Sequence, residues 1–414
     1  MSSPADRPVV QSSALLEHRS YVAYWCARVA TNAAYQMQAV AVGWQIYELT
    51  GNAFDLGLVG LVQFFPVVVL GLVIGQIADR YDRRVVVGTC QVIKALAAAA
   101  FALGTLGGLL TRDAMLAILF VSGTARAFET PTMHSLVPGI VPPELLQRAI
   151  AASSTASQTA IICGPAIGGL LYLFSASTVY LTCTAAFVLA SCLVSFIQMQ
   201  RTPPDKKPVT AEAVFAGFRY IRHNPVVLGA ISLDLFAVLL GGVTALLPIY
   251  AKDVLETGPW GLGLLRSAPA IGALAVSIWL AHHQIGARVG HVLFASVAAF
   301  GAAAVAFAFS NSIVLSIAAL AVYGASDAVS VVIRHSLVQT RTPHEMLGRV
   351  LAVNFMFTGT SGTLGEFRAG TVAALFGAFT SVLVGGLGTI AVALLWMKLF
   401  PELRRIDTIE EKKV

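Results

Sequence analysis

The chain of 414 residues is 57% hydrophobic and only 12% charged, with a formal net charge of +6 and a mean hydropathy of +0.78. A soluble domain carries about 25% charged residues, so this composition excludes an ordinary soluble protein and points into the bilayer. The basic surplus forms no run interleaved with aromatics, which excludes a nucleic-acid-binding surface and assigns the charge to membrane-flanking loops.

Residues 1–20 read as a polar cytoplasmic tail without the apolar core of a signal peptide. Apolar runs of about 20 residues then recur, long enough to cross a bilayer as helices and too long for barrel strands. They predict spans over 21–47, 54–78, 85–106, 114–137, 145–173 and 177–199. A second set follows over 226–250, 260–281, 289–309, 313–338, 346–376 and 379–400. The expectation is an all-α membrane protein of twelve transmembrane helices in two pseudo-symmetric bundles, 21–200 and 225–400, with a C-terminal tail over 401–414. In the linker 201–224, Val214, Phe215, Phe218 and Ile221 share one helical face beside Arg219 and Arg222, as in a helix lying on the membrane surface. Trp44, Tyr47, Tyr250, Trp260 and Trp396 fall near span ends, where interfacial aromatics belong. Five cysteines, all within apolar runs and without a CxxC pair, read as buried free thiols. Lys and Arg cluster in the loops that share a side with both termini, while the opposite loops hold only Arg112 and Lys252. Both termini are therefore expected in the cytoplasm of a cell with the chain in its plasma (bacterial inner) membrane.

The stretch 123–152 is repeated at 324–353, with eleven of thirty positions identical. His134-Ser135-Leu136-Val137 recurs as His335-Ser336-Leu337-Val338, and Pro142, Glu144, Leu146 and Arg148 recur as Pro343, Glu345, Leu347 and Arg349. The offset is close to half the chain, so the halves are copies of one design. In the second copy Thr342-Pro343-His344-Glu345 reads as a capping Thr, Pro at the first helical position and Glu three residues after the cap. The one large exchange is Arg126 for Asp327.

Between the second and third spans stands Gly75-Gln-Ile-Ala-Asp79-Arg80-Tyr-Asp-Arg83-Arg84. This loop resembles the signature of the major facilitator superfamily, with Asp82 where the family usually has Gly. The resemblance implies that Gly75, Asp79, Arg80, Arg83 and Arg84 latch the two halves on the cytoplasmic side. Gly164, Pro165, Gly168 and Gly169 in the fifth span resemble the family's antiporter signature, although Ala156 and Ala160 replace its upstream glycines. Together with 42–66 and Gly123-Thr-Ala-Arg-Ala-Phe-Glu-Thr-Pro131, these segments are similar to the branch that contains the enterobactin exporter and related permeases.

An ionisable residue inside a span is expensive and marks function by default. Arg28 lies in the first span, Arg126 and Glu129 in the fourth, Asp234 in the seventh, Asp327 and Arg334 in the tenth. The resemblance implies that these spans line a central cavity. Helical spacing puts Arg28, Asn32 and Gln36 on one face, and Tyr323, Asp327, Ser330 and Arg334 on another. Lys94 and Arg334 are candidates to snorkel. Glu366 and Arg368 in the eleventh span stand at i and i+2, so each needs its own partner.

The expected function is a secondary transporter that works by alternating access. Its cargo is a small molecule, exported in exchange for protons, with an importer or a lipid flippase on the same scaffold, or a non-transporting membrane receptor, as the alternative. Arg126 stays charged, so Glu129 or Asp327 would carry the proton, Asp327 by a pair across the halves. No G-x-x-x-x-G-K-[ST] sequence or metal-ligand spacing occurs, so no nucleotide, metal or other cofactor is expected. The bilayer, protons and the cargo are the expected partners of a monomer, with no enzymatic role and no nucleic acid.

Overall fold

The computed structural model describes residues 15, 17–199, 211–283 and 286–408, without the side chains of 72–73, 75–79 and 211–214. Six long helices open the chain: α1 (Arg19–Thr50), α2 (Ala53–Arg80), α3 (Arg83–Leu106), α4 (Arg112–Ile140), α5 (Pro143–Tyr172) and α6 (Ala176–Ser195). The linker helix α7 (Ala211–His223) leads to α8 (Pro225–Gly241), α9 (Gly258–His282), α10 (Val289–Ala308), α11 (Ile313–Arg341), α12 (His344–Phe376), α13 (Ala378–Leu399) and a final turn α14 (Pro401–Arg404).

The expected all-α membrane fold is present, but the helices are not equally apolar. Among the described residues, eight are long and apolar enough to cross a membrane: α2, α3, α6, α8 with its continuation to Val254, α9, α10, α11 and α13. The other long helices, α1, α4, α5 and α12, are diluted by the polar residues they turn inward, among them Arg28, Arg126, Ser157 and Glu366.

The seventh span departs from its predicted form. Regular helix stops at Gly241, and the chain continues through a 3₁₀ turn (Val243–Leu246) and a π turn (Tyr250–Val254). Tandem glycines at 241 and 242 permit the break, because a Cβ on Gly242 would run into the Gly365 carbonyl of α12. Arg368 satisfies the freed carbonyls, donating from Nε to Leu239 (3.1 Å) and from Nη2 to Leu240 (2.6 Å).

Three local readings need correction. Thr342 does not cap α12: Pro343 occupies the N-cap, and the Thr342 hydroxyl is buried without a partner among the described residues. Trp44, Tyr250 and Trp396 are interior rather than interfacial, and the Trp396 indole N–H donates to Ser232 Oγ (2.9 Å). Cys163 and Cys192 are exposed on the bundle surface, whereas Cys90 and Cys183 are buried. In α7, Ile221 packs inward while Phe215 and Phe218 are exposed, an apolar face left for the membrane surface.

Within the first half, α1 packs on α5 and α6, α3 on α4 and α6, and α2 on α4. In the second, α9 and α10 pack on α11, α8 and α10 on α13, and α8 on α12. The halves meet where α5 touches α9 and where α2 touches α12. These contacts lie at the end of the molecule opposite the termini. A Cβ on Gly169 would come 2.6 Å from the Pro259 carbonyl oxygen, and one on Gly370 2.7 Å from Gly57 Cα, so backbone meets backbone there. The apolar core repeats the pattern. At the far end one cluster joins both halves, with Met37, Tyr180, Leu246, Leu262 and Phe307 among its members. At the terminal end the core divides into clusters that each belong to one half. The halves are fused at one end and splayed at the other.

Candidate functional site

The splay encloses a cavity of about 820 Å³ walled by both halves, in the size range of small-molecule sites. Tyr35, Gln36 and Gln63 face it from the first half, and Thr244, Arg266 and Glu366 from the second. Arg126 stands between this cavity and a smaller one of about 90 Å³.

The smaller cavity gathers the charges of the first half. Arg28 donates from Nε to Ser157 Oγ of α5 (2.7 Å) and from Nη1 to the Tyr24 hydroxyl (2.8 Å), and Asn32 donates to the same Ser157 (3.1 Å). His134 Nδ1 is 3.3 Å from Arg28. Arg126 lies 3.4 Å from the Tyr35 ring centroid, a cation–π contact, and makes no ion pair among the described residues. Glu129 is instead held by Lys94 (2.5 Å) and by the Gln91 amide (2.5 Å), which also donates to Thr31 (2.6 Å). Lys94 and Glu129 are both almost fully buried, so Lys94 is a paired interior cation and not a snorkelling one.

In the second half Arg334 is likewise interior, paired with Asp234, whose other oxygen accepts from Thr358 (3.2 Å). Asp327 shares a void of about 10 Å³ with this pair and has no hydrogen bond or ion pair of its own among the described residues. Tyr323 turns away from the cavity. Its hydroxyl donates to the Gly241 carbonyl (3.1 Å) at the break in α8, and its ring stacks on Phe300 (3.9 Å). Arg126 and Asp327, matched in the repeat, line different cavities and are not brought together in this conformation.

Glu366 and Arg368 diverge as i and i+2 require: Glu366 lines the large cavity, while Arg368 caps the broken helix. Of the antiporter-like motif, Gly164 packs on Gln36 and Gly168 on Met37 of α1, while Gly169 and Pro165 form the seam with α9. In the latch loop the burial of Gly75 and the Asp79 side chain lie outside what is described, and Arg80 is exposed. Arg83 donates to the Ser135 carbonyl (3.1 Å), and Arg84 pairs with Asp82 (2.6 Å), so both bond within the first half. Asp82 N-caps α3 by accepting from Arg84 N–H, a use for the residue that departs from the signature. The hydrogen bond from the Arg84 guanidinium holds its carboxyl below the usual carboxylate range.

Three participants were missed in the sequence: Lys94 as a partner of Glu129, Gln91 one turn before it, and Arg266 in α9. Each left a signal, a polar or ionisable residue at mid-span; what could not be read was which neighbour it faced. Among the described residues no group of three or more His, Cys, Asp or Glu could hold a metal ion.

Residues 11–413 match a family described as transmembrane secretion effector. Enterobactin exporters of Citrobacter koseri and Escherichia coli are each 26% identical to the chain over 403 residues, covering 95% of it and 94% of the relative. Among solved structures, a bacterial homologue of the human lysosomal transporter Spinster, inward-facing and occupied, superposes with a TM-score of 0.73 at 15% identity, covering 94% of this chain and 99% of that one. A bacterial homologue of the iron transporter ferroportin in an inward-facing state gives 0.71 at 19% identity, covering 96% and 100%. At such identities the likeness is one of fold.

Proposed function

The chain belongs to the transmembrane secretion effector family of the major facilitator superfamily, and from there we propose that it exports a small molecule by alternating access, in exchange for protons. The cavity walled by both halves and sealed at one end carries this reading, since a carrier must bind its cargo where rocking of the halves changes the open side. The bias of Lys and Arg in the loops supports a chain in the bacterial inner membrane with both termini on the cytoplasmic side; in that orientation the sealed end faces outward and the cavity opens to the cell interior. The carrier acts as a monomer, its loop arginines and Asp79 latching the inner ends when the outer seam opens.

The direction of transport is drawn from the exporters it resembles, and the cargo class follows them: a siderophore-, drug- or metabolite-like molecule. The scaffold alone would serve uptake as well, since a D-xylose–proton symporter shares it. Comparing a strain that lacks the protein with its parent decides between them. Export predicts that at least one small molecule disappears from the medium of the deletion strain and accumulates in its cells. Depletion inside the cells, with none missing from the medium, would make the protein an importer.

A further inference from the structure

Most buried charges in this protein are already engaged. Glu129 has Lys94, Asp234 has Arg334, Asp55 has Arg112 (2.6 Å) and Arg368 has two carbonyls. Three charges on the wall of the large cavity form no ion pair among the described residues: Arg126, which is set against the Tyr35 ring, and Glu366 and Arg266, which have no such ring contact. Glu366 has no hydrogen bond and no ion pair among the described residues, and the Arg266 Nε is buried without a partner. The two interact electrostatically without forming an ion pair. Both belong to the second half, yet both reach the first half through a glycine. A Cβ on Gly60 of α2 would come 2.8 Å from Glu366 Oε2, and one on Gly43 of α1 would stand 3.5 Å from Arg266 Nη2. Gly60 lies one turn from Gly57 and so beside the α2–α12 contact that seals the far end.

We propose that Glu366 and Arg266 form the exchange site of the carrier: Arg266 holds an anionic group of a zwitterionic cargo, while its cationic group and a proton compete for Glu366. The proposal rests on the transporter reading above and narrows it to a cargo class. With the site empty, Arg266 and an ionised Glu366 balance, while Arg126 on the opposite wall is set against the Tyr35 ring. A zwitterion preserves that balance by meeting both charges, which a simple anion or cation does not. A proton added to the Glu366 carboxylate makes it a neutral acid and removes the partner of the cargo cation, so cargo and proton exclude each other, as exchange demands.

The seat at Gly60 ties this choice to movement. Sealing the far end presses the Glu366 carboxyl against α2, and a neutral acid is far cheaper to bury there than a carboxylate. Protonation therefore favours the sealed seam. The charged and titratable groups around Glu366 are Arg266 from α9, Tyr323 from α11, Arg368 on its own helix and Arg126 across the cavity. Among the described residues that α2 gives to the cavity wall none is charged: Gly60 lies against Glu366, and Gln63 is neutral. Asp327 is the rival proton carrier, but its void of about 10 Å³ has room for one water at most.

The test uses the full chain in liposomes, with spin labels at Leu109→Cys and Asn311→Cys, exposed positions at the far end of the two halves. Lowering the pH should shorten the distance between them. E366Q should give the short distance at every pH. Affinity is measured with the zwitterionic dipeptide Phe-Phe against its N-acetyl form, which lacks the cation, and its amide, which lacks the anion. Each control should bind on the order of tenfold more weakly, a gap that vanishes for the N-acetyl form in E366Q and for the amide in R266Q. A wild-type pH response surviving in E366Q overturns the proposal, and its loss in D327N instead assigns the proton to Asp327. Equal binding of all three peptides overturns the cargo class. A deletion strain with unchanged secretion but an intact Glu366 response would refute export and leave the exchange site standing.

Discussion

A Gly169→Leu variant is expected to fold and insert but to lose nearly all transport, with its far end held open. Any Cβ at this position meets backbone, 2.6 Å from the Pro259 oxygen and 3.1 Å from both Gly263 Cα and Trp260 Cα. Backbone cannot swing aside as a flexible side chain would, so the α5–α9 seam must part. Overpacking of this kind costs about 1–3 kcal/mol, enough to shift the balance between sealed and open forms by roughly five- to 150-fold. Gly168→Leu is the contrasting case. Its Cβ would come 2.8 Å from Met37 Cα, within the first half, so the penalty falls on folding of the bundle itself. Cysteine-labelling rates at the far end separate the two: raised for Gly169→Leu at normal yield, and for Gly168→Leu a reduced yield of folded protein. Normal transport by Gly169→Leu would remove the seam from the account.

The second large effect concerns the buried pair in the first half. Lys94→Met should destabilise the protein by about 3–5 kcal/mol, because it strands the Glu129 carboxylate in an interior that admits almost no solvent. Lys94→Met combined with Glu129→Gln should recover most of that loss, since the amide keeps the hydrogen bond to Gln91 without the charge. Thermal unfolding in detergent measures both, with the single variant melting well below the double. If Lys94→Met melts with the wild type, the ion pair contributes nothing to the stability of the fold.

The halves were legible in the sequence because a repeat records its own geometry. Gly123–Ala152 and its copy place Arg126 and Asp327 at matching positions of α4 and α11, and the loop motifs place the spans in order. Partners were not legible in the same way. Lys94 meets Glu129 only because α3 and α4 turn those faces together, and helical spacing fixes the face of one helix without fixing the rotation of its neighbour. The same limit explains Arg368, whose partners are carbonyls freed by a break at Gly241 that hydropathy does not register. Arg266 drew no notice in an otherwise apolar helix, because its importance comes from Glu366 and from glycines of the opposite half. Matching positions in the repeat, Arg126 and Asp327, mark equivalence between halves rather than contact.

Alternation between two open sides is most directly tested by measuring both ends of the molecule in one preparation. Spin labels at Glu144→Cys and Glu345→Cys, exposed equivalents in the repeat, report the terminal end, and Leu109→Cys with Asn311→Cys reports the far end. In a background without native cysteines, distance distributions are recorded across pH in liposomes. Rocking about a central cavity predicts that the two distances change in opposite senses, the terminal end closing in the same fraction of molecules whose far end opens. Distances that stay fixed at every pH, or that lengthen together, would contradict alternating access.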